Sequence, residues 1–180
     1  MSVKITYFVH GTTVDNEAHI SSGWSDADLS EKGIQQSEKL TEQTKYMNFD
    51  VVFTSDLKRA MHSAQITWGD KYQMIPDKRL RECNYGDYNS KPSSLVEPMQ
   101  EKHISELMPN GESYEMIQER VSDFLNFLKQ NYDGKHVAII AHKGPQLAVE
   151  VITKGMTWEE AFAQDWRKTG AWQPGWEYEI

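Results

Sequence analysis

Two apolar runs in the chain each end in a histidine followed closely by glycine: Tyr7-Phe8-Val9-His10-Gly11 near the start and Ile139-Ile140-Ala141-His142-Lys143-Gly144 far downstream. A neutral imidazole can attack phosphorus, and the phosphohistidine that results is labile enough for water to remove the phosphoryl group. Such an attack needs fixed positive charge around the nonbridging oxygens, because a phosphate monoester arrives as a dianion and much of the catalysis is electrostatic. Arg59 and His142 are the residues that can supply it, with His10 as the nucleophile. The leaving alkoxide must also be protonated, which calls for a carboxyl group; Glu82, in Leu80-Arg81-Glu82, is the candidate.

These groups lie far apart in the chain, so the fold must gather them. A short apolar run closed by a turn residue reads as a buried strand, and in open α/β sheets ligands collect where strands finish. Val3 to Val9, Asp50 to Thr54 and His136 to Ala141 read as three strands, with Gly175 to Ile180 as a terminal edge strand. Between them the spacing predicts helices. Ser30 caps one that runs through Gln36, Leu40 and Tyr46, although Gly33 weakens its first turn. Asp56 to Trp68 is a second, with Leu57, Ala60, Met61, Ala64 and Ile66 near one side. A third begins at Gly111, where Ile117, Val121, Phe124, Leu125 and Leu128 recur at helical spacing, and ends near Asn131 to Gly134; Gln146 to Thr153 is a fourth. Strands alternating with helices imply a mostly parallel central sheet covered on both faces, a three-layer α/β/α sandwich.

Composition narrows the partners. At 180 residues and 38% hydrophobic, the chain suits one domain over 1–180. The formal net charge of −8 argues against nucleic acid and against an anionic membrane surface, so an anionic ligand must be met by a local cluster of cations. The single cysteine, Cys83, permits no internal disulfide and fits a reducing cytoplasm. Ile5 to Val9 is too short for a signal-peptide core, and no other segment approaches membrane-spanning length. His19, His62, His103 and His136 show no paired ligand spacing, so neither a metal nor another cofactor is expected. Trp166, Trp172, Trp176 and Tyr178 read as cover for the sheet or for a neighbouring subunit, with the lining of a substrate mouth as the alternative, which leaves the oligomeric state open.

Six blocks, in order along most of the chain, carry a resemblance. They are His10-Gly11-Thr12-Thr13 with Asn16; Gly23-Trp24 through Leu29-Ser30-Glu31-Lys32-Gly33; Phe53-Thr54-Ser55-Asp56-Leu57-Lys58-Arg59-Ala60; Leu80-Arg81-Glu82 with Gly86; Pro109-Asn110-Gly111-Glu112-Ser113 with Arg120; and His142. In these the chain resembles the histidine phosphatase superfamily, in its phosphoglycerate-mutase-like branch. The resemblance implies a phosphoglycerate-mutase-like fold with His10 as nucleophile, Arg59 and Asn16 as phosphate contacts, Glu82 as proton donor and His142 as the second catalytic histidine. It implies a phosphatase that hydrolyses a small phosphomonoester through a phosphohistidine. The alternatives are mutase-type phosphoryl transfer and a phospholigand-binding protein with weak or lost catalysis.

Two positions depart from the family pattern. The nucleophile block there begins arginine-histidine-glycine, and the arginine grips the phosphate; here that position is Val9, which has neither charge nor donor. Losing a charged, desolvated hydrogen bond of about 1.5 to 3 kcal/mol slows the reaction roughly ten- to several-hundred-fold unless something replaces it. The other departure is Lys143, where a small residue is usual. It is the expected partial substitute, a phosphate-binding point charge without the bidentate fork. With His10 neutral and His142 protonated, the rate should peak on the acidic side of neutral. Specificity is expected to come from the loop at 84–110, with Tyr85, Tyr88, Lys91 and Met99 as candidates.

Overall fold

The two histidine-terminated runs are adjacent parallel strands at the centre of one sheet. The computed structural model describes residues 1–169 and 175–180, so Trp172 lies outside the described residues. In chain order the elements are β1 (Lys4–Val9), α1 (Val14–Glu17), β2 (Ile20–Ser21), α2 (Glu31–Thr44), β3 (Val51–Thr54), α3 (Lys58–Trp68), β4 (Met74–Pro76), β5 (Lys91–Pro92), α4 (Ser93–Val96), α5 (Tyr114–Asn131), β6 (His136–Ala141), α6 (Lys143–Lys154), α7 (Trp158–Ala163), α8 (Trp166–Thr169) and β7 (Trp176–Glu179). The main sheet runs β4-β3-β6-β1-β7, with β7 antiparallel to β1 and every other neighbouring pair parallel; β2 and β5 form a small separate ribbon.

Side-chain alternation along the strands divides the core. Phe8, Val52, Ala138 and Ile140 face α2 and α3, where they meet Leu40, Ala60, Ala64 and Trp68. Ile5, Tyr7, Phe53, Val137 and Ile139 point the other way, into the core built with α5, α6 and α7. This is the three-layer sandwich expected from the alternating pattern. The helices start where their caps say they should: the Ser30 hydroxyl accepts from Gly33 N, and the Ser113 hydroxyl from Met116 N.

Among the differences from the sequence reading, three have a local cause. α6 begins at Lys143, directly after His142, because Pro145 falls in its first turn, where no backbone N–H is needed. β4 is a short parallel edge strand next to β3, and its Met-Ile-Pro sequence carries no strand-length pattern. α7 is an extra helix opened by a capping box, in which the Thr157 hydroxyl accepts from Glu160 N and the Glu160 carboxylate from Thr157 N.

Candidate active site

β1 and β6 pair up to Val9 opposite Ala141, and His10 N donates to Ala141 O at 3.0 Å. Both chains then leave the sheet together, so His10 and His142 emerge side by side, with ring centroids 5.0 Å apart and planes at 63°. The turn after His10 is held from three sides. Gly11 N donates to Ser63 Oγ of α3 at 2.9 Å, Thr12 N to Gln36 Oε1 of α2 at 2.8 Å, and Ser30 N to Thr12 O at 2.9 Å. Two glycines make this approach possible: a Cβ on Gly11 would lie 2.4 Å from Gly33 O, and one on Gly33 2.0 Å from Thr12 O. Tyr7 anchors the other histidine, its hydroxyl donating to His142 O at 2.8 Å and accepting from His142 N at 3.2 Å.

His10 is half-buried, and its Nδ1 lies 2.7 Å from Gly11 O. A carbonyl can only accept, so Nδ1 carries the proton and Nε2 keeps its lone pair. Burial first, and the Arg59 charge second, push the His10 pKa down from 6.5 to about 3, which keeps the ring neutral at neutral pH. His142 is fully buried, and neither ring nitrogen has a hydrogen-bond partner among the described residues. Its pKa also falls well below the usual imidazole value, again by burial and then by the charge of Arg59. The expectation of a protonated His142 therefore does not hold for the ligand-free protein: burial and a neighbouring guanidinium both disfavour its charge.

Arg59 is 3% exposed and its fork is aimed by backbone carbonyls, with one terminal nitrogen 3.0 Å from Ser25 O and the other 2.7 Å from Gly23 O. Glu82 rests on the first turn of α6, where Oε1 accepts from Gly144 N at 3.0 Å and from Cys83 N at 2.8 Å. Only glycine allows this seat, since a Cβ at 144 would lie 2.2 Å from that oxygen. The Glu82 backbone carbonyl is fixed too, by Trp24 Nε1 at 2.7 Å and an Arg120 nitrogen at 3.0 Å, and Glu112 braces Arg120 at 3.0 Å. Trp24 and Arg120, with Glu112 behind Arg120, are three members of the recognised blocks that thus fix the Glu82 backbone rather than its carboxylate.

His10 and Glu82 open into one cavity of about 460 Å³, whose wall also includes Val9, Asn16 and Lys143, while Arg59 and His142 are not among its described lining residues. Asn16 turns its Oδ1 inward to accept from Thr13 N at 3.0 Å, closing the cap of α1 and leaving only its amide N–H groups as donors to a ligand. Lys143 is 7% exposed, and its ammonium lies 3.0 Å from Asp165 Oδ2, so its charge already has a protein partner. Tyr85, Tyr88, Lys91 and Met99 are not among the described lining residues. The cavity instead extends along Gln36, Lys39, Leu40 and Gln43 of α2 and reaches Trp166 and Arg167 of α8. The sequence reading missed α8, because its four residues show no apolar period.

The two depressed imidazoles also set the response to acid. Below about pH 6.5 the unfolded chain takes up protons that the folded one refuses, so their contribution is fully present above that pH and lost as the pH falls toward the folded pKa values. Thermal melting should show it: His142→Gln is expected to lose less Tm between about pH 7 and pH 5 than the unaltered protein. An identical pH slope in both would place the acid sensitivity elsewhere.

The model of the histidine phosphatase superfamily (branch 1) matches residues 7–170. A 2,3-bisphosphoglycerate-dependent phosphoglycerate mutase of Cytophaga hutchinsonii is 30% identical over 146 residues, which cover 74% of this chain and 68% of the mutase. The adenosylcobalamin/alpha-ribazole phosphatase of Escherichia coli is 27% identical over 146 residues, covering 75% and 71% of the two chains. Among solved structures, the alpha-ribazole phosphatase of Shigella flexneri shares the fold with a TM-score of 0.79 at 23% identity, over 89% of this chain and 84% of that one. With that match across most of its length, and with two imidazoles side by side where the central strands β1 and β6 end, the chain belongs to the histidine phosphatase superfamily.

Proposed function

We propose that the protein hydrolyses a small phosphomonoester through a phosphohistidine on His10, with residues 1–180 acting as one catalytic unit. The observation that carries this reading is the 5.0 Å pairing of a neutral, tautomer-fixed His10 with an unpartnered, buried His142. The His10 Nε2 lone pair attacks phosphorus, the ester P–O bond breaks, and the Glu82 carboxyl gives its proton to the departing alkoxide. Water then attacks the phosphoryl group, its proton passes to the Glu82 carboxylate, and the P–N bond opens to release inorganic phosphate. An Asn16 amide N–H is the donor already lining the cavity, and Arg59 and His142, buried behind its wall, come into contact with the nonbridging oxygens as the anion enters. Lys143 adds positive potential to the wall as half of its pair with Asp165.

The substrate monoanion accounts for an acid-side optimum: a phosphomonoester binds a proton with a pKa near 6, and that proton can pass to His142 as the anion fills the site. The buried Cys83 fits a reducing compartment, and among the described residues no helix is long and apolar enough to cross a membrane; we place the protein in the cytoplasm.

The test is a panel of phosphomonoesters assayed for phosphate release, with acid-free quenching to trap phosphoenzyme. Turnover with an acid-labile, base-stable phosphoprotein is the expected result. Saturable binding with no phosphate released would make the protein a phospholigand binder, the reading that Val9 favours; phosphoryl return to a second hydroxyl would make it a mutase.

A further inference from the structure

The charge missing at Val9 has a candidate replacement from the other end of the chain. We propose that Arg167 supplies the second guanidinium to the anion held at His10, and that Lys143 positions it through Asp165. The proposal rests on the reading that the cavity receives a phosphoryl group.

Arg167 and Val9 line the same cavity as His10 and Glu82. The Arg167 charge already reaches His10, where it is one of the influences that disfavour ring protonation. A guanidinium is permanently charged and offers the planar fork that an ammonium lacks, so it replaces the family's arginine in kind where Lys143 cannot. In the ligand-free protein the fork has a protein partner that it can leave: a terminal nitrogen lies 3.1 Å from Glu97 Oε1, with the two side chains 43% and 41% exposed. Pairs this open to water are weak, and a phosphate dianion is the stronger acceptor.

One carboxylate fixes the placement. Asp165, 2% exposed, accepts from Arg167 N through Oδ1 at 2.9 Å, capping the first turn of α8, and from Lys143 Nζ through Oδ2 at 3.0 Å. Lys143 is the residue that follows His142 and opens α6. The lysine thus ties the segment bearing Arg167 to the floor of the site through an ion pair buried on both sides. On this account the departures at Val9 and Lys143 are one change. The guanidinium has moved from a strand end to a C-terminal helix, and the lysine is the tether that the move requires.

The experiment measures inorganic phosphate binding by calorimetry and p-nitrophenyl phosphate turnover for the full chain, Arg167→Ala, Arg167→Lys and the charge-free pair Lys143→Met with Asp165→Asn. The pair is used because it leaves no unpaired buried charge. Arg167→Ala is expected to weaken phosphate binding and kcat/KM by about ten- to a hundredfold, with Arg167→Lys intermediate and with millimolar guanidinium ion restoring part of the alanine variant's rate. Adding the charge-free pair to Arg167→Ala should cost little more, because both act through one contact. Phosphate binding and turnover within twofold of the unaltered protein in Arg167→Ala would overturn the proposal, as would a loss that guanidinium cannot restore. Losses that multiply when the pair is combined with Arg167→Ala would overturn the positioning role and return Lys143 to direct contact. If the unaltered protein binds phosphate through Arg167 but hydrolyses nothing, the proposal stands and the phosphatase reading falls.

Discussion

Replacing His10 by alanine is expected to lower phosphate release on the order of ten-thousandfold or more and to remove the trapped phosphoenzyme altogether. The size follows from the lack of a nearby substitute. His142 is 5.0 Å away, but its ring is sealed from solvent and its backbone is clamped on both sides by the Tyr7 hydroxyl, so it cannot swing to an in-line position. The variant should still bind inorganic phosphate, since Arg59 keeps its two carbonyl partners and the turn at Gly11 is held by backbone bonds to Ser63, Gln36 and Ser30. Phosphorylated protein from His10→Ala would move the nucleophile to another residue.

Glu82→Gln should cost about a hundred- to ten-thousandfold on alkyl phosphates, and far less in the first step on p-nitrophenyl phosphate, whose leaving group departs without a proton. An amide can still sit on α6 by accepting from Gly144 N and Cys83 N through its oxygen, so the fold of the site is retained while proton transfer is lost. The same group must take the proton from water in the second step, so the glutamine variant should accumulate phosphoenzyme. Rapid-quench measurement separates the halves. Equal losses on both substrates, with no build-up of phosphohistidine, would assign the acid to another group.

How much of the fold and the site is legible in the sequence depends on how local the signal is. The strand ends at Val9 and Ala141 were legible because apolar runs, closed by histidine and then glycine, mark both element and boundary. Arg59 and Glu82 are legible from short blocks, and the partners of Trp24, Glu112 and Arg120 show what other block members do: together they fix the Glu82 backbone carbonyl. What stayed hidden was nonlocal. Nothing near Arg167 announces that it reaches the cavity of His10, nor does Lys143 show its pairing with Asp165. The loop at 84–110 drew attention through its aromatics. The cavity wall instead runs along α2, where Gln36, Ser37, Lys39 and Gln43 make it largely polar.

Gly33 has one more consequence, for anyone seeking a hardier variant. In a helix it is disfavoured by about 1 kcal/mol relative to alanine, and α2 is long enough that a routine consensus or design protocol would mark it for replacement. Yet its missing methyl is what lets the backbone of Thr12 lie against the helix, two residues from the attacking ring. Thermal robustness and reactivity therefore compete at that single atom, and heat-resistant forms of this enzyme must draw their gains from elsewhere in the chain.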